Sequence, residues 1–249
     1  MVKKYKTNEI AQIIGVHPNT VRMYEDIKFI SRPNRRENGH REFTELHISQ
    51  MQFARLALHG ELLQNGLRKK AIQIIKLCGE CKFKEAICET YQYKTMLEHE
   101  SKNAKEAIQA VANILGNHTI DYSKTYKRQE MADLLEVTID TLRNWELNGL
   151  MTVARKSNGY RIYNEEDLQR LKIIRTLRCA NYSLSSILRL MNRLSEDTEA
   201  EMEVIINTPA EDEDIISACD RLLTSLERTN QDADEMLLLL SNLTNKPPL

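Results

Sequence analysis

The sequence predicts an all-α protein with small β wings, built as two winged helix-turn-helix units, each followed by a long coiled-coil helix. Three observations carry that reading. Aromatics make up 6% of the 249 residues, with only 8 Gly and 5 Pro, a composition suited to helices. A stretch near the N-terminus recurs roughly 120 residues later, too long a period for a solenoid, so it marks a duplicated domain. Towards the C-terminus, apolar residues recur at alternating steps of four and three, the coiled-coil seam pattern.

The repeat is gapless from Tyr5–Glu25 onto Tyr126–Glu146. Tyr5/Tyr126, Lys6/Lys127, Glu9/Glu130, Thr20/Thr141, Arg22/Arg143 and Glu25/Glu146 are among the identical pairs, and Tyr24 meets Trp145. One residue of slip later, Asn38-Gly39-His40-Arg41-Glu42-Phe43 matches Asn158-Gly159-Tyr160-Arg161-Ile162-Tyr163, and Arg55 then matches Arg175.

Each copy follows the same plan. Ile10, Ile13 and Ile14 share one face of a first helix, Gly15-Val16 breaks it, and Pro18 suits the first turn of a second helix reaching about Glu25. In the second copy Met131, Leu134 and Leu135 form the first helix, and Thr138 is a natural N-cap for the next. Two short helices joined by a tight turn describe a helix-turn-helix. Asn-Gly between extended residues then predicts a hairpin in each copy, flanked by Arg35, Arg36 and Arg41 or by Arg155, Lys156 and Arg161: a basic wing.

Two more helices follow each wing. Ile48, Met51 and Leu58 precede Leu67, Ala71, Ile72 and Ile75, and the second copy has Leu168, Leu171, Ile174 and Leu177, then Leu184, Ile187, Leu188 and Met191. The first copy is longer here, around 60–66. The final long helix has its seam at Ile215, Cys219, Leu222, Leu226, Thr229, Ala233, Met236, Leu240 and Leu243. The long helix after Phe83 fits less well, with Ile87, Leu97, Ala104, Ile108, Val111 and Leu115 on the seam and Lys94 and Ser101 interrupting it. The expected division is 1–80 for the first winged unit, 81–120 for its long helix, 121–195 for the second unit, and 196–249 for an acidic linker and the second long helix.

The net charge of −1 hides a partition. Residues 1–58 carry +4 and 122–194 carry +5, while 195–249 carry −11, so only parts of the surface suit a polyanion. No apolar run approaches the length needed to cross a bilayer, and the start Met1–Lys6 leads into polar sequence without a signal-like apolar core. Five cysteines, an odd number, fit reduced thiols of a cytoplasmic protein. No Gly-rich phosphate loop, His-x-x-x-His pair or nucleophile–base pattern points to an enzyme, and no cofactor is expected.

Thr20-Val21-Arg22-Met23-Tyr24-Glu25 with the first wing, and Thr141-Leu142-Arg143-Asn144-Trp145-Glu146, Gly149-Leu150-Met151 and Gly159-Tyr160-Arg161-Ile162-Tyr163 in the second copy, resemble MerR-type transcriptional regulators. The two copies cover nearly the whole chain. The resemblance implies a bacterial regulator that binds double-stranded DNA at pseudo-palindromic promoters, alongside RNA polymerase, through units joined by an antiparallel coiled coil. Two units in one chain is the main departure. Lys28 where the family usually has Gly, His40 and Phe43 in the first wing, and Trp145 for Tyr are smaller ones.

The N-terminal residues of a second helix lie nearest the bases, so His17, Asn19, Thr20, Thr138, Asp140 and Thr141 are the candidate readers. Asp140 suits a cytosine amine. The resemblance implies phosphate-side anchoring by Arg22, Arg143 and the Tyr24 position, matched by Trp145, with core packing as the alternative for the two rings. Arg35, Arg36, Arg41, Arg155, Lys156, Tyr160 and Arg161 of the wings are candidates for the DNA backbone. Cys78-Gly79-Glu80-Cys81 and Cys88 suggest a rival thiol- or metal-responsive regulator, but a zinc or iron–sulfur site wants about four ligands, the tail 244–249 and the stretch just after Met191 hold no cysteine, and Cys179 is distant in sequence. The other rivals are an architectural or segregation protein that binds DNA without an effector, and a coiled-coil adaptor. The short stretch from Gly116 to Lys124 suits an intrachain pseudo-dimer, with Leu97, Ile108 and Leu115 packed on Leu222, Leu226 and Leu240, and a swapped homodimer as its competitor.

Overall fold

A computed structural model describes residues 3–59, 63–115, 123–199 and 215–245. Ten helices and five short strands are found among them. The linker after the first long helix and most of the acidic 196–214 stretch lie outside the described residues. The chain divides into two compact units, one of residues 1–98 and 225–249, the other of residues 99–224.

The first unit begins with α1 (Thr7–Ile14) and α2 (Pro18–Asp26). Glu9 accepts from the Lys6 N–H at 2.7 Å, closing the start of α1. Gly15, with φ +71°, turns the chain, and Pro18 takes the first position of α2 as its missing N–H allows. The wing is β1 (Asn34–Arg35) against β2 (Arg41–Glu42), with Gly39 at φ +79° completing a tight three-residue loop. Tyr5 bridges Phe43 through two backbone bonds of 2.8 and 2.9 Å. Then come α3 (Glu45–Ala57), α4 (Leu67–Gly79) and the first half of α5 (Phe83–Leu115). Ile10, Val21, Phe43, Met51, Phe53, Leu67, Ile74 and Ile75 form the fully buried core. A Cβ on Gly79 would sit 2.4 Å from the Lys28 carbonyl oxygen, so only glycine lets α4 end against that loop.

The second unit repeats the plan as β3 (Thr125–Lys127), α6 (Arg128–Leu134), α7 (Ile139–Leu147), β4 (Ala154–Arg155), β5 (Arg161–Asn164), α8 (Glu165–Cys179) and α9 (Leu184–Glu199). Its sheet runs β3-β5-β4, all antiparallel. Leu142, Trp145, Leu171, Ile174, Leu177 and Ile187 are buried in one cluster with Val111 of α5 and Ala218 and Cys219 of α10 (Ile215–Thr244).

Each unit therefore contains a stretch of both long helices. In the first, Lys94 of α5 pairs with Asp234 of α10, and Tyr93 feels Asp232. In the second, Ala107–Ile114 of α5 share a cluster with Ala218 and Cys219.

Two expectations need correction. Ile13 and Leu134, placed on the inward faces of α1 and α6, are 51% and 55% exposed, because helices of two turns bury only a narrow stripe. The α5 seam also differs. It runs through Ala86, Thr90, Tyr93, Leu97, Glu100, Ala104, Ala107, Val111 and Ile114, an unbroken four–three alternation. Ile87, Lys94, Ser101 and Ile108 sit one residue off it and are half-buried. Polar seam residues hid the register: the Thr90 hydroxyl is satisfied by donating to the Ala86 carbonyl, and Glu100 is taken up by Arg175. The α10 seam from Cys219 to Leu243 is buried as expected, while the side chains of Ile215 and Leu115 lie outside the described residues.

Candidate nucleic-acid interface

Each unit presents its second helix and its wing as one surface. In the first, His17 caps α2 by accepting the Asn19 N–H on Nδ1 at 3.2 Å. Arg22 donates to Asn19 Oδ1 at 2.7 Å, so two residues one turn apart hold each other. His17, Asn19 and Arg22 are exposed, and Thr20 is half-buried. In the second, Thr138 Oγ1 accepts the Thr141 N–H at 3.1 Å. Asp140 and Arg143 are exposed and Thr141 is half-buried. His17 and Thr138 thus each spend one polar atom on capping, Asn19 Oδ1 is taken up by Arg22, and the Thr141 hydroxyl lies 2.9 Å from that of Thr138.

Tyr24 and Trp145 are 6% and 4% exposed. Tyr24 stacks edge-on with Phe29 at 5.4 Å, and Trp145 belongs to the core of its unit. Both rings pack within their own units.

The wings are braced by a device that sequence reasoning did not assign. Glu25, near the end of α2, binds Arg41 Nε and reaches Arg35 at 3.7 Å. Glu146, its match in α7, binds Arg161 Nε at 2.5 Å and Arg155 at 3.3 Å. One carboxylate thus ties both strands of each wing to the adjacent helix and fixes its angle. Arg41 and Arg161 are half-buried by the contact, while Arg35 and Arg155 remain largely exposed. Glu25 and Glu146 are identical in the two copies, and that identity was the available signal. Tyr160 projects from its wing at 73% exposure, with Lys156 exposed beside it.

The cysteines do not converge. Among the described residues no group of three or more His, Cys, Asp or Glu side chains could hold a metal ion. Cys78 is buried, which pushes its thiol up to about 12. Cys81 lies against Gln50 Nε2, whose amide also donates to the Cys78 carbonyl at 2.8 Å.

A family model described as "MerR HTH family regulatory protein" matches residues 5–76 and again 126–194, more than half of the chain. The chain belongs to the MerR family. Its relatives include the HTH-type transcriptional regulator ZntR of Escherichia coli, 44% identical over 68 residues, which are 27% of this chain and 48% of that protein. The HTH-type transcriptional regulator CueR of Bacillus subtilis is 35% identical over 86 residues, 34% of this chain and 60% of that protein. The HTH-type transcriptional repressor CarH of Myxococcus xanthus is 32% identical over 80 residues, 32% and 27% of the two chains. The chain thus spans about half the length of the first of these relatives. No solved structure matches it significantly. MerR proteins are helix-turn-helix regulators of transcription that bind DNA, and no helix among the described residues is long and apolar enough to cross a membrane.

Proposed function

We propose that this MerR protein is a sequence-specific transcription regulator in which one chain reads two unlike half-sites, the work usually divided between two copies of a shorter family member. The observation that carries the reading is the complete duplication: two helix-turn-helix units, two braced wings, and a stretch of both long helices inside each unit. Within each unit the readers are Asn19 and Thr20, or Asp140 and Thr141, at the start of a second helix, where a major groove meets its bases. Arg22, Arg35, Arg36, Arg143, Arg155 and Lys156 hold the backbone, with Tyr160 packing beside it. Because Asn19 is replaced by Asp140, the two heads ask for different bases: an amide suits adenine, a carboxylate suits the cytosine amine. The site is therefore two unlike halves, with recognition helices in successive grooves ~34 Å or a multiple apart. RNA polymerase at a promoter in the cytoplasm is the second partner of this reading.

Selection of bound duplexes from a random library tests it. The expected product is one site with two different half-sites at a fixed helical spacing, preferred over random DNA by ~10³ or more. Binding without enrichment would favour an architectural protein. No binding at low salt would favour a coiled-coil adaptor.

A further inference from the structure

The two wings have the same shape but not the same hold on a phosphate. In the first, Glu42 of β2 carries a carboxylate that the second lacks. It pairs with Lys4 Nζ on the preceding segment at 2.5 Å and with Arg36 Nε on the wing at 2.9 Å. The two cations, Lys4 first, hold its carboxyl below the usual carboxylate range. In the second unit Ile162 stands in that place, Lys156 stands for Arg36, and Thr125 for Lys4. Lys156 has no ion-pair partner among the described residues, and it faces a cleft of about 670 Å³ between β3 and the wing, lined also by Lys127, Arg128, Tyr160 and Arg161. Lys127 and Arg128 likewise have no ion-pair partner among the described residues. The one carboxylate lining the cleft, Glu130, accepts the Lys127 N–H at 2.7 Å. Across 31–43 the first wing carries four arginines and two glutamates, whereas across 151–163 the second carries three cations and no acid.

We propose that the second unit is the anchor on the DNA backbone and that Glu42 holds the first unit to a weaker grip, occupying on Lys4 and Arg36 the position a DNA phosphate would otherwise take. The inference rests on the DNA-binding reading above and names what makes its two heads unequal. A phosphate approaching the first wing must displace Glu42 or be repelled by it. At the second wing it meets open cations beside an apolar Ile162. Lys4 and Arg36 keep their own side chains largely open to solvent, so a DNA phosphate competes with the Glu42 carboxylate for the same two cations. Unequal heads give the chain a fixed orientation on an asymmetric site, with the second unit as the stronger backbone anchor.

The two wings allow a reciprocal exchange. The full chain and its Glu42→Ile, Glu42→Gln and Ile162→Glu variants would be titrated against a fluorescein-labelled duplex of mixed sequence over a series of salt concentrations. Glu42→Ile frees two cations, and each phosphate contact added steepens the log–log salt slope by about 0.9, which near physiological salt is about fivefold in affinity. Glu42→Ile and Glu42→Gln are expected to bind more tightly with a steeper slope, and Ile162→Glu more weakly with a shallower one. Glu42→Gln keeps the shape of the side chain, so its result reports charge and not packing. If wild type binds while both Glu42 variants keep its affinity and slope, the proposal is overturned and the DNA-binding reading stands. If wild type fails to bind at low salt, both fall.

Discussion

The two helix-turn-helix units solve the same backbone problem with glycine in opposite places. At the turn between the two short helices, the first unit has Gly15 at φ +71° and the second has Glu136 at +53°. At the turn that closes the second helix, the first unit has Lys28 at φ +63° and the second has Gly149 at +75°. Each unit thus keeps one relaxed left-handed turn and one held by a residue with a Cβ, at about 1–2 kcal/mol of strain. What surrounds the turn between the two short helices differs. Glu136 is engaged by His99 at 2.7 Å and lies 3.5 Å from Arg175. Arg175 in turn donates to the Leu135 carbonyl at 2.8 Å and forks onto Glu100 of α5 at 2.8 and 2.9 Å, the whole pair nearly buried. Among the described residues the matching Arg55 donates to the Ile14 carbonyl alone, and it is exposed. The second unit's reading turn is therefore wired to a long helix by a buried ion pair, while the first unit's turn rests on glycine.

The largest expected effect comes from cutting that wire. Glu100→Ala leaves Arg175 buried without its carboxylate and should destabilise the second unit by about 3–5 kcal/mol. Trp145, the one tryptophan, lies in the core of that unit, so urea unfolding followed by its fluorescence reports the change directly. Arg55→Ala should cost the first unit about 1 kcal/mol, the worth of one hydrogen bond, seen as faster amide exchange in α1 and α3. Equal losses in the two units would break the comparison.

Exchanging the turn residues sharpens it. Lys28→Gly should stabilise the first unit by about 1 kcal/mol through relief of a left-handed Cβ. Gly15→Ala should destabilise it by a similar amount, since the nearest atom to a new Cβ is an unhindered 3.8 Å away and only φ is at issue. Glu136→Gly should come out near zero, because the relief is offset by the lost contacts to His99 and Arg175. Thermal melts of the three variants would check the ranking.

The smallest effect is one of pH. The first helix after each wing starts with a capping side chain that accepts the N-cap N–H: His47 Nδ1 from Thr44 at 3.0 Å, and Asp167 Oδ2 from Asn164 at 2.9 Å. Burial pulls the His47 imidazole below its ordinary 6.5. The unfolded chain then binds a proton that the folded chain refuses, so stability of the first unit is lost as pH falls below about 6.5. Burial raises the Asp167 carboxyl, so its contribution has the opposite sign and is confined to the carboxylate range. Protection of the α3 amides, taken relative to the intrinsic exchange rate at each pH, should therefore fall between pH 7 and 5 while that of α8 holds, and His47→Asp should abolish the difference.

Much of this was legible in the sequence. The repeat located both helix-turn-helix motifs, the Asn-Gly turns located the wings, and Pro18 and Thr138 marked where the second helices start. The α5 seam was misread because Thr90, Tyr93 and Glu100 do not look like core, and only their partners explain why they are. Outward Ile13 and Leu134 looked like core because a two-turn helix offers too few residues to define a face. Of the candidate site, the readers and basic wings were visible as residue types. Glu25 and Glu146 were visible only as identities, and the opposition of Glu42 and Ile162 needed the ion pairs of the folded wing to acquire a meaning.

The central claim is that one chain carries two unlike DNA-binding heads. Light scattering of the complex formed on the selected duplex tests it most directly. One chain per site, with two different half-sites protected, is the result expected. Two chains per minimal site, or perfect dyad symmetry in the selected DNA, would contradict it.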